Sequence, residues 1–446
     1  MMRLLQVSEI LNGTMQGSDV QFSAVSTDTR SLQPGDLYIA LLGENFDGHD
    51  YLGQAEKAGA AAAIIHKNVQ TKLPHIKVED TRKALGDLAA AWRQSFNGKV
   101  VAITGSNGKT TVKEMTAAIL SEQGKALATK GNFNNDIGLP LTLLRMDKEE
   151  FAVIEMGANH HGEIAYLTSI TKPDVAVITN AGPAHLEGFG SIQGVAEAKG
   201  EIYQGLDKQG IAVVNLDDEY ADYWLGLNNL HKTLTFSMSD TSADVYGEWK
   251  PGANGGELSV KIKDESFTVN LQLHGIHNAM NALTAISLAG SLQVPKDKMV
   301  QALNEFNSVG GRLNFHQVSE SLVVIDDTYN ANPASVKAGI EVLGELSGEH
   351  WLVLGDMGEL GGEEKSIHYD MGTHAKESGV DTLLAVGDAS RYSVEAFGNE
   401  AIFFETKDEL ITFVRQHESE KINILVKGSR FMHMEEIVNS LIKGAN

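Results

Sequence analysis

Residues 99–124 constrain the fold more than any other part of the chain. The run KVVAIT at 99–104 is apolar and rich in β-branched residues, and it leads directly into GSNGKTT at 105–111. Apolar residues then recur at spacings of three and four, as on one face of a helix. Strand, glycine-rich turn and helix in this order are the setting of a phosphate-binding loop, because the turn amides and the helix N-terminus both face the anion. The segment therefore predicts an α/β sheet with a phosphate site at its edge.

This turn departs from the full P-loop pattern, G-x-x-x-x-G-K-[ST]. Gly108, Lys109 and Thr110 supply its end, but Ile103 stands where the first glycine is expected. The lysine would add a positive charge at the outer phosphates, and the threonine hydroxyl is a suitable ligand for Mg²⁺. We therefore prefer a bound nucleotide to the alternative, a plain turn with an exposed lysine. The candidate contacts are Gly105, Ser106, Asn107, Gly108, Lys109, Thr110 and Thr111.

A chain of 446 residues is expected to form about three domains. We predict them at 1–85, 86–312 and 313–446. The first has short strands and helices in a small mixed unit. The second has continuous apolar strands, which indicate a parallel sheet covered on both faces, followed by alternating segments that resemble antiparallel hairpins. The third alternates strands with helices, which predicts a doubly wound sheet with ligands at the carboxyl ends of its strands.

Composition limits the kinds of partner that the chain is expected to bind. The net charge of −23 argues against nucleic-acid binding over a broad face, because such a surface repels a polyphosphate backbone. The chain has no cysteine, which removes disulfides and thiolate chemistry. It contains no apolar run approaching 18 residues and no apolar core typical of a signal peptide. We expect a soluble, cytoplasmic protein that acts as a monomer, with small-molecule substrates and no membrane partner.

Other polar residues near predicted strand ends carry little information on their own. Glu155 ends the strand FAVIE, but such a glutamate is as often structural as functional. His185 and Lys199, taken alone, are more typical of surface positions. The pair His160 and His161 followed by Glu163 has a spacing too weak to indicate zinc.

Several ordered motifs together resemble the ATP-dependent Mur ligases of peptidoglycan synthesis. They are TGSNGKTT, GNFNNDIGLPLTLL, EMG, NAGPAHLEGFGS, EAKGEI and GIHNAMNALTAI. The resemblance covers essentially the whole chain, and the shortened loop is that family's form. It implies a small mixed α/β N-terminal domain, a central P-loop-type ATPase domain with a mostly parallel sheet, and a Rossmann-like doubly wound C-terminal domain.

The C-terminal motifs DDTYNANPAS and VLGDMGELG are similar to the branch that joins D-alanyl-D-alanine to UDP-N-acetylmuramoyl-tripeptide. The N-terminal stretch STDTRSLQPGDLYIALLGENFDGHDY resembles that branch's uridine-nucleotide-sugar domain. The implied reaction consumes ATP and passes through an acyl phosphate, with two Mg²⁺ ions. The first domain would then bind the UDP-muramoyl peptide, and the third would bind the incoming dipeptide.

The resemblance also implies roles for individual residues. The expected catalytic group is Lys109 and Arg312 on the phosphates, with Glu155, His185 and Lys199 at the metal ions. Thr110 joins the metal ligands, and Lys199 matches a lysine that is carbamylated in several relatives. Asn278 and Asn281 would lie near adenine, and Asp327 near the ribose. The substrate candidates are Thr29, Arg30, Asn45, Asp47 and His49 for the uridine nucleotide, Asn134 and Asn135, and Tyr329, Asn330 and Asn332 for the dipeptide.

Other functions stay open at this point. A related ligase could add a single amino acid, or the chain could be a folate polyglutamate synthase, although DDTYNANP argues against both. A P-loop switch protein would hydrolyse ATP without any carboxylate substrate. A dehydrogenase is disfavoured because Gly355, Gly358 and Gly361 do not form G-x-G-x-x-G. A plain α/β protein would leave the ordered motifs unexplained.

Overall fold

The computed structural model describes residues 2–183, 186–417 and 421–443, without the side chain of Leu186. Three separate β-sheets follow one another along the chain, of five, nine and six strands. Helices pack against each of them. The predicted three-part α/β architecture is therefore confirmed.

The first sheet has the order β1-β5-β4-β3-β2, and its strands are parallel except for β1. The short strands expected in the first domain are present, and β3 and β4 pair with each other inside the sheet. The elements of this unit are α1 (Leu4–Ile10), β1 (Thr14–Gln16), β2 (Val25–Ser26), β3 (Leu37–Ile39), α2 (Leu52–Lys57), β4 (Ala62–Ile65), β5 (His75–Lys77) and α3 (Thr81–Gln94).

The second sheet has the order β14-β13-β12-β11-β10-β9-β6-β8-β7. Strands β6 to β12 run parallel, and β12, β13 and β14 form the antiparallel hairpins expected after the parallel strands. The elements are β6 (Lys99–Thr104), α4 (Lys109–Ser121), β7 (Ala126–Ala128), α5 (Gly138–Leu143), β8 (Phe151–Glu155), α6 (Glu163–Thr171), β9 (Val175–Ile178), α7 (Leu186–Phe189), α8 (Ile192–Gly200), β10 (Ile211–Asn215), α9 (Ala221–Leu227), β11 (Lys232–Ser237), β12 (Val245–Gly252), β13 (Gly255–Ile262), β14 (Glu265–Leu271), α10 (Ile276–Ser291) and α11 (Lys296–Asn304).

The third sheet has the order β15-β16-β20-β17-β18-β19, and only its edge strand β15 is antiparallel. Helices α12 and α13 cover one face and α15 and α16 the other, as a doubly wound sheet requires. The elements are β15 (Asn314–Gln317), β16 (Leu322–Asp327), α12 (Pro333–Gly344), β17 (Glu349–Gly355), α13 (Glu364–Glu377), β18 (Thr382–Val386), α14 (Arg391–Phe397), β19 (Ala401–Phe404), α15 (Lys407–Gln416), β20 (Ile422–Lys427) and α16 (Glu435–Lys443).

Burial in the second sheet explains why strand β6 is apolar from Val100 to Ile103. Val101 and Ile103 pack in the core beneath α4 and α10, whereas Val100 and Ala102 pack on the opposite face. Both faces of the strand are thus covered, and its carboxyl end is fixed in position.

The exact domain boundaries stay predictions. Helix α3 runs without a break through position 85, where the first boundary was expected. Among the helices of the described ranges, none is long and apolar enough to cross a membrane.

Candidate active site

The carboxyl ends of three neighbouring parallel strands meet at one edge of the second sheet. Strand β6 lies between β8 and β9, so Thr104, Glu155 and Thr179 come to the same edge. A cleft of about 1450 Å³ opens along this edge, with residues of the third sheet on its far side. Predicted site residues that line it are Ser106, Asn107, Gly108, Lys109, Thr110, Thr111, Asn134, Asn135, Glu155, Lys199, Asn278, Asn281, Arg312, Asp327, Tyr329, Asn330 and Asn332.

Hydrogen bonds fix the glycine-rich loop between β6 and α4. The amide of Asn107 donates to Asn180 Oδ1 at 3.0 Å, and its carbonyl accepts from Thr179 Oγ1 at 2.6 Å. Gly105 has φ +153°, and a Cβ there would lie 1.8 Å from Thr179 Oγ1. Strand β9 therefore holds the loop in one shape, with glycine required at the closest approach.

Gly108 is the residue before α4, and its replacement by alanine is our first prediction. Its φ is +81°, and a Cβ would lie 2.3 Å from Asn281 Oδ1. Gly162 precedes α6 with φ +85° and no atom within 4 Å of a Cβ, so it is a matched control.

Gly162→Ala should cost about 1–2 kcal/mol of stability from the left-handed backbone alone. Gly108→Ala should cost more, and the displaced loop should lower the ATP-dependent rate by about a hundredfold. Urea unfolding and phosphate-release assays test this, and equal effects of the two variants would contradict it.

Lys109 turns its ammonium back onto the loop. Its Nζ donates to the carbonyls of Gly105 at 2.7 Å and Ser106 at 3.3 Å. Burial lowers the pKa of Lys109, while the negative charge of Glu155 acts in the opposite direction. The ammonium thus lies within the turn where phosphate oxygens would be held.

Thr110 and Glu155 form the polar centre beside this loop. Thr110 Oγ1 donates to Glu155 Oε2 at 3.0 Å, and Asn134 Nδ2 donates to Glu155 Oε1 at 2.9 Å. Glu155 is only 2% exposed. A hydroxyl and a carboxylate are hard oxygen ligands of the kind Mg²⁺ takes together with substrate phosphates. The donor set therefore fits one Mg²⁺ bound with a nucleotide.

Arg312 reaches this centre from the start of the third sheet. Its Nη2 donates to Thr110 Oγ1 at 2.9 Å, and its guanidinium lies 4.3 Å from the centre of the Tyr329 ring. Its Nε is buried and has no hydrogen-bond acceptor among the described residues. A buried donor without a partner is costly, so this N–H marks a position where a ligand oxygen fits.

Lys199 is buried in α8 and lines the same cleft. Burial lowers its pKa well below the ordinary value, and the nearby Lys109 charge acts in the same direction. Within the described ranges, no carboxylate forms an ion pair with it. His185, expected in this region, lies outside the described residues.

Asn278 and Asn281 lie one turn apart on α10, against the glycine-rich loop. Asn281 Nδ2 donates to Asn278 Oδ1 at 3.3 Å, and Asn278 Nδ2 donates to His274 O at 2.9 Å. Both side chains are largely buried. They form a polar wall of the cleft next to Gly108.

The third sheet supplies the opposite wall from the ends of β16 and β20. Asp327 and Lys427 form a buried ion pair, and Lys427 Nζ also donates to Asn330 O at 3.1 Å. Burial raises the pKa of Asp327, although the Lys427 ammonium acts in the opposite direction. Asn332 caps α12 and also donates through Nδ2 to Asn107 Oδ1 at 2.8 Å. This last bond joins the two walls directly at the phosphate loop.

Comparison with known proteins agrees with this architecture. Three family models match in order: "Mur ligase family, catalytic domain" at 21–93, "Mur ligase middle domain" at 103–289, and "Mur ligase, glutamate ligase domain" at 311–430. The UDP-N-acetylmuramoyl-tripeptide–D-alanyl-D-alanine ligase of Escherichia coli (strain K12) is 45% identical over 442 residues, covering 98% of each chain. This chain belongs to the Mur ligase family.

Solved structures of Mur ligases confirm the fold. MurF from Acinetobacter baumannii has a TM-score of 0.93 at 36% identity, covering 98% of each chain. MurF ligase from Thermotoga maritima in complex with ADP has a TM-score of 0.84 at 28% identity, covering 95% of this chain and 97% of that one. The family resemblance expected from the sequence motifs is therefore confirmed.

The N-terminal candidates of this Mur ligase do not line the cleft, and several are bound to one another. His49 is buried, its Nδ1 lies 2.6 Å from Asp47 Oδ1, and its Nε2 accepts from the amide of His66. Arg30 pairs with its neighbour Asp28, Thr29 contacts Gln54, and Asn45 is exposed. Asp47 and His49 thus have a clear structural role in this loop, and a ligand-binding role for the five candidates stays a prediction.

The cleft of this Mur ligase also contains residues that sequence reasoning missed. Four of them are Thr179, Asn180, His277 and Lys427. Thr179, Asn180 and Lys427 stand at the carboxyl ends of apolar runs, so the strand-end rule applied to every strand could have found them. His277 lies within a quoted helix motif and had no separate signal.

His277 predicts how the folding stability of the protein changes with pH. Burial and the charge of Lys427 lower its pKa from 6.5 to about 4. A folded-state pKa below the unfolded value stabilises the fold above pH 6.5, and this contribution is lost as the pH falls from 6.5 to 4. Between pH 7 and pH 5, His277→Asn should therefore lose about 1–2 kcal/mol less stability than the wild type. Urea unfolding at both pH values tests this, with the exposed His160→Asn as control. An equal loss in wild type and His277→Asn would contradict it.

Proposed function

We propose that this Mur ligase uses ATP to join D-alanyl-D-alanine to UDP-N-acetylmuramoyl-tripeptide, forming ADP, phosphate and the pentapeptide precursor of peptidoglycan. The observation that carries the proposal is the cleft in which Lys109, the Thr110–Glu155 pair and Arg312 meet. The Escherichia coli relative, whose name states this reaction, matches 98% of the chain.

The reaction needs an activated carboxylate, because a free carboxylate does not accept an amine directly. In the proposed first step, the terminal carboxylate of the tripeptide attacks the γ-phosphorus of ATP, and ADP leaves. In the second, the dipeptide amine attacks the carbonyl carbon of the acyl phosphate, loses a proton, and phosphate leaves. Both steps bring negative groups together, so the cations Lys109 and Arg312 would stabilise the charge that develops. No side chain has to act as a covalent nucleophile.

The two Mg²⁺ ions are also part of the proposal. Thr110 and Glu155 would hold the first ion with the nucleotide, and His185 is proposed to join them. Lys199 would hold the second ion if it carries the carbamate expected from relatives. Its lowered pKa supports this, because a neutral amine reacts with carbon dioxide more readily than an ammonium. Bound Mg²⁺ would neutralise phosphate charge.

The substrates would occupy different walls of the molecule. We assign adenine to Asn278 and Asn281, the ribose to Asp327, and the dipeptide to Tyr329, Asn330 and Asn332. The tripeptide would pass Asn134 and Asn135, with its uridine nucleotide on the N-terminal unit. Acyl phosphates hydrolyse, so the two walls should close during reaction, about the 308–313 region. We further propose that the protein works as a monomer in the cytoplasm, because ATP is supplied there and one chain provides every assigned residue.

The test is phosphate release from ATP and Mg²⁺ by the purified protein, with each substrate omitted in turn. We expect release to require both the tripeptide and the dipeptide, and mass spectrometry to show the pentapeptide. Release with a single amino acid in place of the dipeptide would indicate another ligase of the family. Release without either acceptor would favour the ATPase-switch alternative and contradict the proposal.

A further inference from the structure

Lys113 is a fully buried lysine one helical turn after Lys109 on α4, and the proposed mechanism gives it no part. Residues four apart lie on the same face of a helix, so its side chain extends beneath the phosphate loop. A buried ammonium is costly unless charges and hydrogen bonds compensate it. Its partners therefore indicate what it does.

The ammonium of Lys113 joins three elements behind the loop. Its Nζ donates to Thr129 O at 2.7 Å, just after β7, and lies 2.9 Å from Glu114 Oε1 on its own helix. It also lies 3.7 Å from Glu155 Oε2, at the end of β8. Thr129 in turn holds Glu155, because Thr129 Oγ1 accepts from the Glu155 amide at 2.9 Å.

The distance between Lys113 Nζ and Glu155 Oε2 shows that the two groups attract each other as charges and do not form a hydrogen bond. At 3.7 Å the ammonium attracts the carboxylate as a charge but is too far to be a normal hydrogen-bond donor. Oε2 instead accepts its hydrogen bond from Thr110 Oγ1, at 3.0 Å. Lys113 can thus hold the carboxylate in place without occupying the oxygen that would face a cation.

We propose that Lys113 is a positioning residue, which fixes the Glu155 carboxylate for the Mg²⁺–nucleotide complex through its charge, 3.7 Å from Oε2, and its bond to the Thr129 carbonyl. The inference rests on the proposed function, because it assumes that Glu155 is a metal ligand. Residues that orient a metal ligand typically contribute about 10–100-fold to metal affinity.

The experiment measures ADP binding by calorimetry, first with EDTA and then over a Mg²⁺ titration, for wild type and Lys113→Met. Methionine is unbranched and apolar and suits the buried space. In Lys113→Met, we expect the affinity for ADP without metal to change by less than about twofold. The gain from Mg²⁺, which is the factor by which Mg²⁺ increases ADP affinity, should fall by about tenfold or more. Glu114→Gln removes the charge of the half-exposed partner of the same ammonium and should keep the wild-type gain.

The direction in which the Mg²⁺ gain changes in Lys113→Met distinguishes a positioning role from a simple effect of the lysine charge. Removing a cation near a metal site would by itself strengthen Mg²⁺ binding, so an unchanged or larger gain in Lys113→Met would overturn the inference. A merely structural role would lower the melting temperature and both affinities alike, which would also overturn it. If Lys113→Met does not fold, Lys113→Gln keeps a donor for Thr129 O without the charge, and the same loss is expected.

Failure of the proposed function gives a different result. If Mg²⁺ does not increase the ADP affinity of the wild type, the proposed metal site is contradicted, and the role of Lys113 with it. If Mg²⁺ increases the ADP affinity of the wild type and of Lys113→Met equally, only the role of Lys113 is contradicted.

Discussion

Replacing Lys109 with methionine is expected to lower kcat/KM for ATP-dependent ligation by about a hundred- to a thousandfold. The ammonium lies inside the glycine-rich turn, held by the carbonyls of Gly105 and Ser106. A nucleotide phosphate entering this turn would offer it negatively charged oxygens in place of neutral carbonyls, and charge-assisted bonds are the stronger kind. Methionine keeps the length of the side chain and removes the charge.

The control for Lys109→Met is Lys125→Met, which removes a lysine charge from an exposed position beyond the end of α4. It should retain wild-type activity. Steady-state phosphate release and the melting temperature should be measured for both variants. Loss of the two loop bonds should cost about 1–3 kcal/mol of stability, so a folded but inactive Lys109→Met is the expected result. A loss of activity below tenfold in a folded variant would contradict the role assigned to Lys109.

The phosphate loop could be predicted from the sequence because all of its signals are local. The β-branched run, the glycine turn and the stripe on α4 lie within 26 residues, and each determines its own structure. The antiparallel hairpins of β12–β14 were also predicted from local alternation. Two strands of the second sheet were not predicted, Ala126–Ala128 and Lys232–Ser237. The first is three residues long with alanines at both ends, and the second carries polar residues, so neither has the apolar run that indicated its neighbours.

The side-chain partners in the cleft could not be predicted in the same way. Asp327 and Lys427 are 100 residues apart and meet because β20 lies beside β16 in a crossed sheet order. Lys113 reads as an ordinary helix lysine, and its burial depends on β7 and β8 covering it. The contact between Asn107 and Asn332 depends on how two units pack together. A strand-end rule gives the edge at which such residues gather, but the partner of each residue depends on the order of the strands.

The N-terminal candidate residues show what a motif resemblance cannot predict. Asp47 and His49 were selected through a motif resemblance, and the structure shows that they bond to each other and to their neighbours Lys67 and His66. A motif can recur because it maintains a loop or because it contacts a ligand, and the residue types do not separate the two. Here the polar atoms of His49 are already occupied, so any uridine contact from this loop would have to come from other atoms.

Arg312→Met is expected to lower kcat/KM by about a thousandfold or more, at least as much as loss of Lys109. The guanidinium is the one group from the start of the third sheet that bonds Thr110 among the described residues. Stacking on Tyr329 fixes its plane, and its buried Nε lacks an acceptor until a ligand supplies one. The residue would therefore couple closure of the two walls to stabilisation of phosphate charge.

Two variants separate the charge of Arg312 from its geometry. Arg312→Lys keeps the positive charge but loses the planar fork, so it should recover only a small part of the activity. Arg391 stacks on Phe403 at 4.0 Å and pairs with Glu405 away from the cleft, so Arg391→Met is a matched control that should leave ligation unchanged. Full activity in Arg312→Lys would show that charge alone suffices, and the buried Nε would then have no part in binding. Because domain packing brings Arg312 to Thr110, a fall in kcat for Arg312→Met without a change in metal-free ADP affinity would place its action in the closed, reacting state.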